Sequence, residues 1–223
     1  MDLVEAIQKR RSVRAYKPDR VKKEILQEIL QIAVRAPSGM NTQPWRINVL
    51  SGEIIEKIRK GNLEMLMSGK EPMPDIPLNP YKGEYKQRQV DLAKELFMIL
   101  GIAREDKPKR DEWTKQGFIF FNAPAAIILS AEESVLDTPN ALSDLGGLAQ
   151  SICLVALGYG LGTCIESQGI MYPEVLRKYL GIPETQRMYL SIAIGYPKGD
   201  APVNTLRTKR EPLEKNTAWF GFD

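Results

Sequence analysis

The stretch from Asn140 to Tyr159 limits what this chain can fold into more than any other. It is rich in Ala, Gly, Leu, Ile and Val, and its near-complete apolarity predicts a helix buried from all sides. Gly146, Gly147 and Ala149 permit a close approach by neighbouring helices. Ala125–Leu129 is likewise continuous in its apolar character, as a central strand covered on both faces would be. A long buried helix and a doubly covered strand require a layered core. The chain can supply one, with 223 residues of which 43% are hydrophobic and 26% charged. Although Leu145–Ile165 is the most apolar segment, five glycines interrupt it. It reads as part of a soluble core, not as a membrane span.

Around this centre the remaining elements follow from periodicity. Asp2 followed by Glu5 forms a capping box, with Leu3, Ala6 and Ile7 as the apolar face of a first helix. Val21, Ile25, Ile29, Ile32, Ala33 and Ala36 give a second helix that Pro37 ends. Trp45, Ile47 and Val49 alternate as a strand, and residues 53–67 form a helix. Four prolines between Gly69 and Gly83 predict a long loop of the kind used as a lid or binding loop. Helices over 85–100 and 111–121 flank a charged turn at 104–110. Phe118, Phe120 and Phe121 cannot all face one core if they are helical, so one or more should point to a ligand or a subunit interface. A strand over 163–167, a helix over 173–180 and a last core strand carrying Met188, Leu190, Ile192 and Ile194 complete the domain. The tail that follows ends in Trp219-Phe220-Gly221-Phe222. Each large aromatic gains roughly 1.5–3 kcal/mol on burial, which favours a tail wrapped around a partner subunit.

Composition excludes several kinds of function. A net charge of +3 with mixed signs along the chain gives no concentrated basic face for nucleic acid. Only two cysteines are present, Cys153 and Cys164, and the N-terminus lacks the apolar region of a signal peptide, so a reduced cytoplasmic protein is expected. The chain contains no histidine, which removes the common general base and the common zinc ligand, and no metal site is expected. An enzyme of this composition would draw its chemistry from a cofactor.

Lys9-Arg10-Arg11-Ser12-Val13-Arg14 is the candidate anion site, four cations and a hydroxyl at the end of the first helix. Residues in a last helical turn are often basic for electrostatic reasons alone, so the cluster by itself reads more readily as a solvated helix end. Ala36-Pro37-Ser38-Gly39-Met40-Asn41-Thr42-Gln43 is rich in amide and hydroxyl groups suited to the edge of a heterocycle or to the loop's own backbone. Gly158, Gly160 and Gly162 imitate a dinucleotide motif, but a helix precedes them and a strand follows, the reverse of what that motif needs.

Taken together, Arg10–Arg14, Ala36–Trp45, Asp144-Leu145-Gly146, Gly160–Cys164 and Thr208–Leu213 resemble the FMN-dependent nitroreductase family over nearly the whole chain. Leu100–Asp106 and Asn204–Arg210 are most similar to its nitrobenzoate reductase branch. The resemblance implies an α+β three-layer sandwich, a mixed central sheet flanked by helices, in a single domain over 1–223. It implies an intertwined homodimer in which 197–223 wraps the partner. It further implies FMN held by Arg10, Arg11, Ser12 and Arg14, with Lys209 and Arg210 from the tail. Pro37, Ser38, Gly39 and Asn41 would come from the other subunit. Ile165, Glu166 and Ser167 would lie over the flavin, with a backbone N–H of Glu166 or Ser167 at N5 and no catalytic side chain. Tyr81, Tyr85, Phe118 and Phe121 are the expected substrate contacts. The implied activity is ping-pong hydride transfer from NAD(P)H to a small aromatic nitro acceptor. Quinone or flavin reduction on the same scaffold, or flavin binding without turnover, are the alternatives. Ile165 stands where the nitrobenzoate branch carries proline, and Glu166-Ser167-Gln168 also departs from it, so that branch's substrate does not transfer.

Overall fold

A computed structural model describes residues 1–222. Four strands, β1 (Trp45–Ser51), β2 (Ala125–Glu132), β3 (Gly162–Glu166) and β4 (Gln186–Gly195), form one sheet in the order β1-β2-β4-β3. All three pairings are antiparallel. The expected mixed sheet is therefore corrected: among the described residues, the parallel component is a single bridge between Ser12 and Thr163. Strand β2 is central, and its side chains alternate between two cores. Ala125, Ile127, Leu129 and Ala131 enter one, while Ala126 and Ile128 enter the other.

Helices α2 (Lys23–Ala33) and α7 (Pro139–Gly158) cover the first face, and α3 (Gly52–Met67) and α8 (Pro173–Leu180) cover the second, giving a three-layer α+β sandwich. Helix α7 buries Ala141, Leu145, Leu148, Ala149, Ile152, Cys153 and Ala156, a stripe at helical spacing. It is therefore not buried from all sides as its composition predicts. Ser143 and Gln150 are exposed, and a Cβ added at Gly146 or Gly147 would meet nothing within 4 Å. By length and composition Asn140–Gly158 could cross a membrane, contrary to the reading of its glycines, but here it is the helix on which the first core is built.

Three local expectations change. Helix α5 spans Lys107–Phe118, starting four residues earlier than expected because the Asp106 side chain accepts the Lys109 N–H at 3.1 Å. After Phe118 the helix stops, and Phe120, Phe121 and Asn122 take left-handed φ values of 54°, 52° and 55°. That turn redirects the chain, so Phe118, Phe120 and Phe121 all enter the second core. The helical geometry that would have separated them is absent. In β4, the pairing skips Tyr189, with Leu129 opposite Leu190 and Ser130 opposite Met188. This bulge turns Met188 into the second core while Leu190, Ile192 and Ile194 stay in the first.

The loop before α4 (Gly83–Ile99) is fastened along much of its length. Tyr172 Oη donates to the Lys70 carbonyl at 2.9 Å, and Met73 N–H to Met171 at 3.1 Å. Asp75, buried, accepts both Arg177 Nη atoms at 3.0 Å and the Met188 N–H at 2.9 Å. The tail is likewise divided. Ala201, Val203 and Leu206 pack against Leu96 and Ala15 of their own chain, so this first part of the expected wrapping tail lies on its own body. Leu213, Trp219, Phe220 and Phe222 are exposed.

Candidate functional site

Helix α1 (Leu3–Lys9) delivers the basic cluster as its sequence requires. Asp2 accepts the Glu5 N–H at 2.9 Å, but Glu5 bonds Lys9 instead of closing the capping box, leaving half of that motif. From Arg10 the chain leaves the helix and lies along β3, where Val13 N–H donates to the Thr163 carbonyl at 2.9 Å. Gly162 makes this crossing possible, since a Cβ there would stand 2.6 Å from Val13 Cγ2.

The result is a cleft of about 930 Å³. It is lined by Arg10, Arg11 and Ser12 from the stretch after α1, by Gln150 and Ile165, and by Arg207, Thr208 and Arg210 from the tail. Among the described residues, no carboxylate lines it. Arg11 Nε is shut off from water and has no hydrogen-bond acceptor. Burial, and then the charge of Arg207, hold the Arg11 guanidinium below its ordinary pKa. A buried guanidinium donor without an acceptor, faced by a second guanidinium, is what a missing phosphate would leave behind. The residues present therefore fit the phosphate end of FMN.

Strand β3 brings Ile165 to the cleft. Thr163 turns its carbonyl to the outer edge, so by strand alternation Ile165, not Glu166, presents its backbone there. The Glu166 carboxylate is turned inward, accepting Ser191 Oγ–H at 2.6 Å and Gly169 N–H at 2.9 Å. Burial pushes its pKa up to about 7, with these hydrogen bonds opposing the shift. Ser167 sits in the turn that follows, its carbonyl accepting Ile170 N–H at 3.1 Å. Burial likewise raises Cys164, to about 11, so neither it nor the similarly raised Cys153 offers a thiolate near neutral pH.

Of the residues marked in the sequence, Arg10, Arg11, Ser12, Ile165 and Arg210 come together in this cleft. Arg14 does not line it; its backbone N–H is tied to Asn204 Oδ1 at 2.9 Å. Lys209 lines a neighbouring depression with Arg88, Asp91 and Glu95. Pro37, Ser38, Gly39 and Asn41 sit elsewhere, at the N-terminal end of α7, where Gly39 N–H reaches both Asp144 carboxylate oxygens at 3.2 Å. Met40, Asn41 and Gln43 of that loop hold left-handed φ values of 49°, 59° and 47°, and Met40 is fully exposed. Strain of this kind is costly and tends to persist where a loop is built to present itself. Tyr81 and Tyr85 are exposed and outside the cleft, Tyr85 lying beneath Arg88. Phe118 and Phe121 are packed in the core, so within this chain they have no open surface for a substrate. Arg207, Gln8 and Gln150 are cleft residues that sequence reasoning missed. Arg207 could have been found from its three-residue spacing to Arg210.

Comparison with known proteins agrees with this geometry. The solved structure of an FMN and NADPH-dependent nitroreductase, NfnB from sphigopyxis sp. strain HMH, superposes with a TM-score of 0.94 at 32% identity, covering 100% of both chains. A nitrobenzene nitroreductase of Ectopseudomonas oleovorans is 31% identical, over 96% of this chain and 94% of its own length. A 4-nitrobenzoate reductase of Pseudomonas putida is 28% identical, over 100% of this chain and 97% of its own. The nitroreductase family model matches residues 7–196, spanning the basic cluster, the sheet and both cores, and the chain belongs to the nitroreductase family.

Proposed function

We propose that this protein is an FMN-dependent oxidoreductase that uses NAD(P)H to reduce nitroaromatic compounds. The observation that carries the reading is the carboxylate-free arginine cleft with its unsatisfied Arg11 Nε, in a chain that overlays a FMN and NADPH-dependent nitroreductase end to end. Arg10, Arg11, Ser12, Arg207 and Arg210 would hold the FMN phosphate, and the open edge of β3 at Ile165 would face the ring system. Bound FMN supplies two-electron chemistry, accepting a hydride from reduced nicotinamide and passing electrons to a nitro group. The protein contributes position and a charge environment, and none of its own side chains exchanges electrons.

The site is completed by a second copy of the chain. Within one chain the 37–41 loop meets α7 at Asp144 and does not line the arginine cleft, to which α7 contributes Gln150. It also leaves open one face of α7, Leu3, Val4 and Ile7 on α1, and the aromatic end of the tail. A soluble cytoplasmic homodimer in which the segment after Leu206 reaches the partner would cover these surfaces and supply the missing loop.

Anaerobic addition of NADH or NADPH to the FMN-loaded protein should bleach the flavin absorbance, and nitrobenzoate or nitrobenzene should restore it. Bleaching that a quinone reverses while neither nitroarene does would move the function to quinone reduction. Failure of both nucleotides to bleach it would sink the proposal.

A further inference from the structure

The tail changes character at Leu206. Up to that residue it is fastened to its own chain, with Lys198 N–H donating to Ala15 at 3.0 Å and buried Asn204 bonded to Arg14, Ala15 and Lys198. Beyond it, the hydrogen bonds stay local. Arg207 Nη1 donates to the Asn204 and Leu206 carbonyls at 3.0 Å, and Arg210 Nη1 to Thr208 Oγ1 at 2.9 Å. Among the described residues one polar contact leads from this segment back to the body, the Arg88–Glu211 pair at 3.4 Å. Ion pairs of that exposed kind contribute little.

Nevertheless Arg207 and Arg210 line the same cleft as Arg10 and Arg11. With no carboxylate among the described lining residues, the tail arginines and those after α1 repel. Arg11 is disfavoured as a cation by burial first and by the nearby Arg207 charge second. A dianion placed in the cleft reverses the sign, because both sets of arginines are then attracted to the same charge. Resting on the FMN assignment above, we propose that the cofactor phosphate is the latch that fastens residues 207–222 to the body, so that cofactor loading and ordering of the tail are one linked event. By linkage, the factor by which FMN shifts the tail's ordering equilibrium is the factor by which an ordered tail tightens FMN binding. The aromatic end at Trp219–Phe222, which needs a defined path to reach a second copy, is then presented by the loaded protein.

Hydrogen–deuterium exchange of the peptide 211–222 in the full-length apoprotein tests this, because that peptide lies beyond the cleft-lining residues. The probes are FMN, riboflavin and inorganic phosphate, with flavin occupancy followed by fluorescence. FMN should slow exchange at least tenfold, millimolar phosphate should reproduce part of that protection, and riboflavin should give none. Arg207→Gln should slow exchange in the apoprotein, since it relieves the repulsion, and should shrink the FMN increment below threefold. FMN that binds without slowing exchange overturns the latch and leaves the flavin assignment standing. Phosphate that protects the peptide where FMN does not bind supports the latch and removes the flavin assignment. Equal protection by riboflavin and FMN, or faster exchange in the Arg207→Gln apoprotein, also overturns it.

Discussion

Arg177 and Arg11 are chemically the same group in opposite circumstances. Arg177, with a side chain 10% exposed, meets Asp75 through two parallel hydrogen bonds at 3.0 Å, and its Nη2 also donates to the Gln186 carbonyl at 2.7 Å. Arg11 has a buried Nε with no acceptor and shares a cleft with Arg207. The first cluster is neutralised within the chain and fastens the 69–83 loop to α8 and β4, although the Arg177 Nε, 3.3 Å from the Glu184 carboxylate, likewise makes no hydrogen bond. The second is neutralised only with an anion supplied from outside. Charge density does not distinguish architecture from a binding site here, but the presence or absence of a carboxylate does. Glu166 is a third case, a buried ion with hydrogen-bond donors and no cation among the causes of its shift.

The largest expected effect breaks the neutralised cluster. Asp75→Ala strands the Arg177 charge and the Met188 N–H, and should cost about 3–5 kcal/mol in urea unfolding. A loss within the range of ordinary surface substitutions would remove the distinction drawn between the two clusters.

Glu166 should show the next effect, through pH. Its pKa is about 7 when folded, against an ordinary 4.5. The folded state therefore holds a proton that the unfolded state has released between those values. Its contribution to stability is fully present below about 4.5 and is lost as pH rises through 7. Unfolding free energies of wild type and Glu166→Gln, measured from pH 4.5 to 8, should diverge by about 2–3 kcal/mol across the window, with the wild type falling more steeply. Parallel curves would mean that the carboxylate is better solvated than its burial implies.

The smallest effect sharpens the comparison from the binding side. Arg11→Ala should weaken FMN binding to the apoprotein tenfold to a hundredfold, about 1.4–3 kcal/mol, in a fluorescence titration. Its urea midpoint should stay level or rise, because the substitution removes a half-buried charge whose Nε lacks a partner. A drop in midpoint comparable with that of Asp75→Ala would make Arg11 a structural residue.

Much of the fold was legible because its signals are local. Helix α8 has Pro173 as its first residue and ends at Gly181, whose φ is 66°, and its expected bounds match the observed ones. What escaped had no local signal. The left-handed turn at Phe120–Asn122 contains no glycine to announce it, and the bulge at Tyr189 interrupts an alternation that looks unbroken in the sequence. The clasp that holds the supposed lid joins residues 102 apart, Asp75 and Arg177. The apolarity of α7 reported that the helix would be covered, but not that its own chain would cover only one face.

The same division holds at the site. Residues within one helical turn of each other determine where α1 ends, so the sequence alone put Arg10, Arg11 and Ser12 side by side. Whether those charges would be neutralised depended on which distant segments returned to them. Tertiary structure brought Arg207 and Arg210 to the same cleft without a carboxylate among its described lining residues, because Asn204, held by four hydrogen bonds to Arg14, Ala15 and Lys198, fixes where the tail re-enters. Local sequence specified the donors, and long-range packing decided that they would be left without an acceptor.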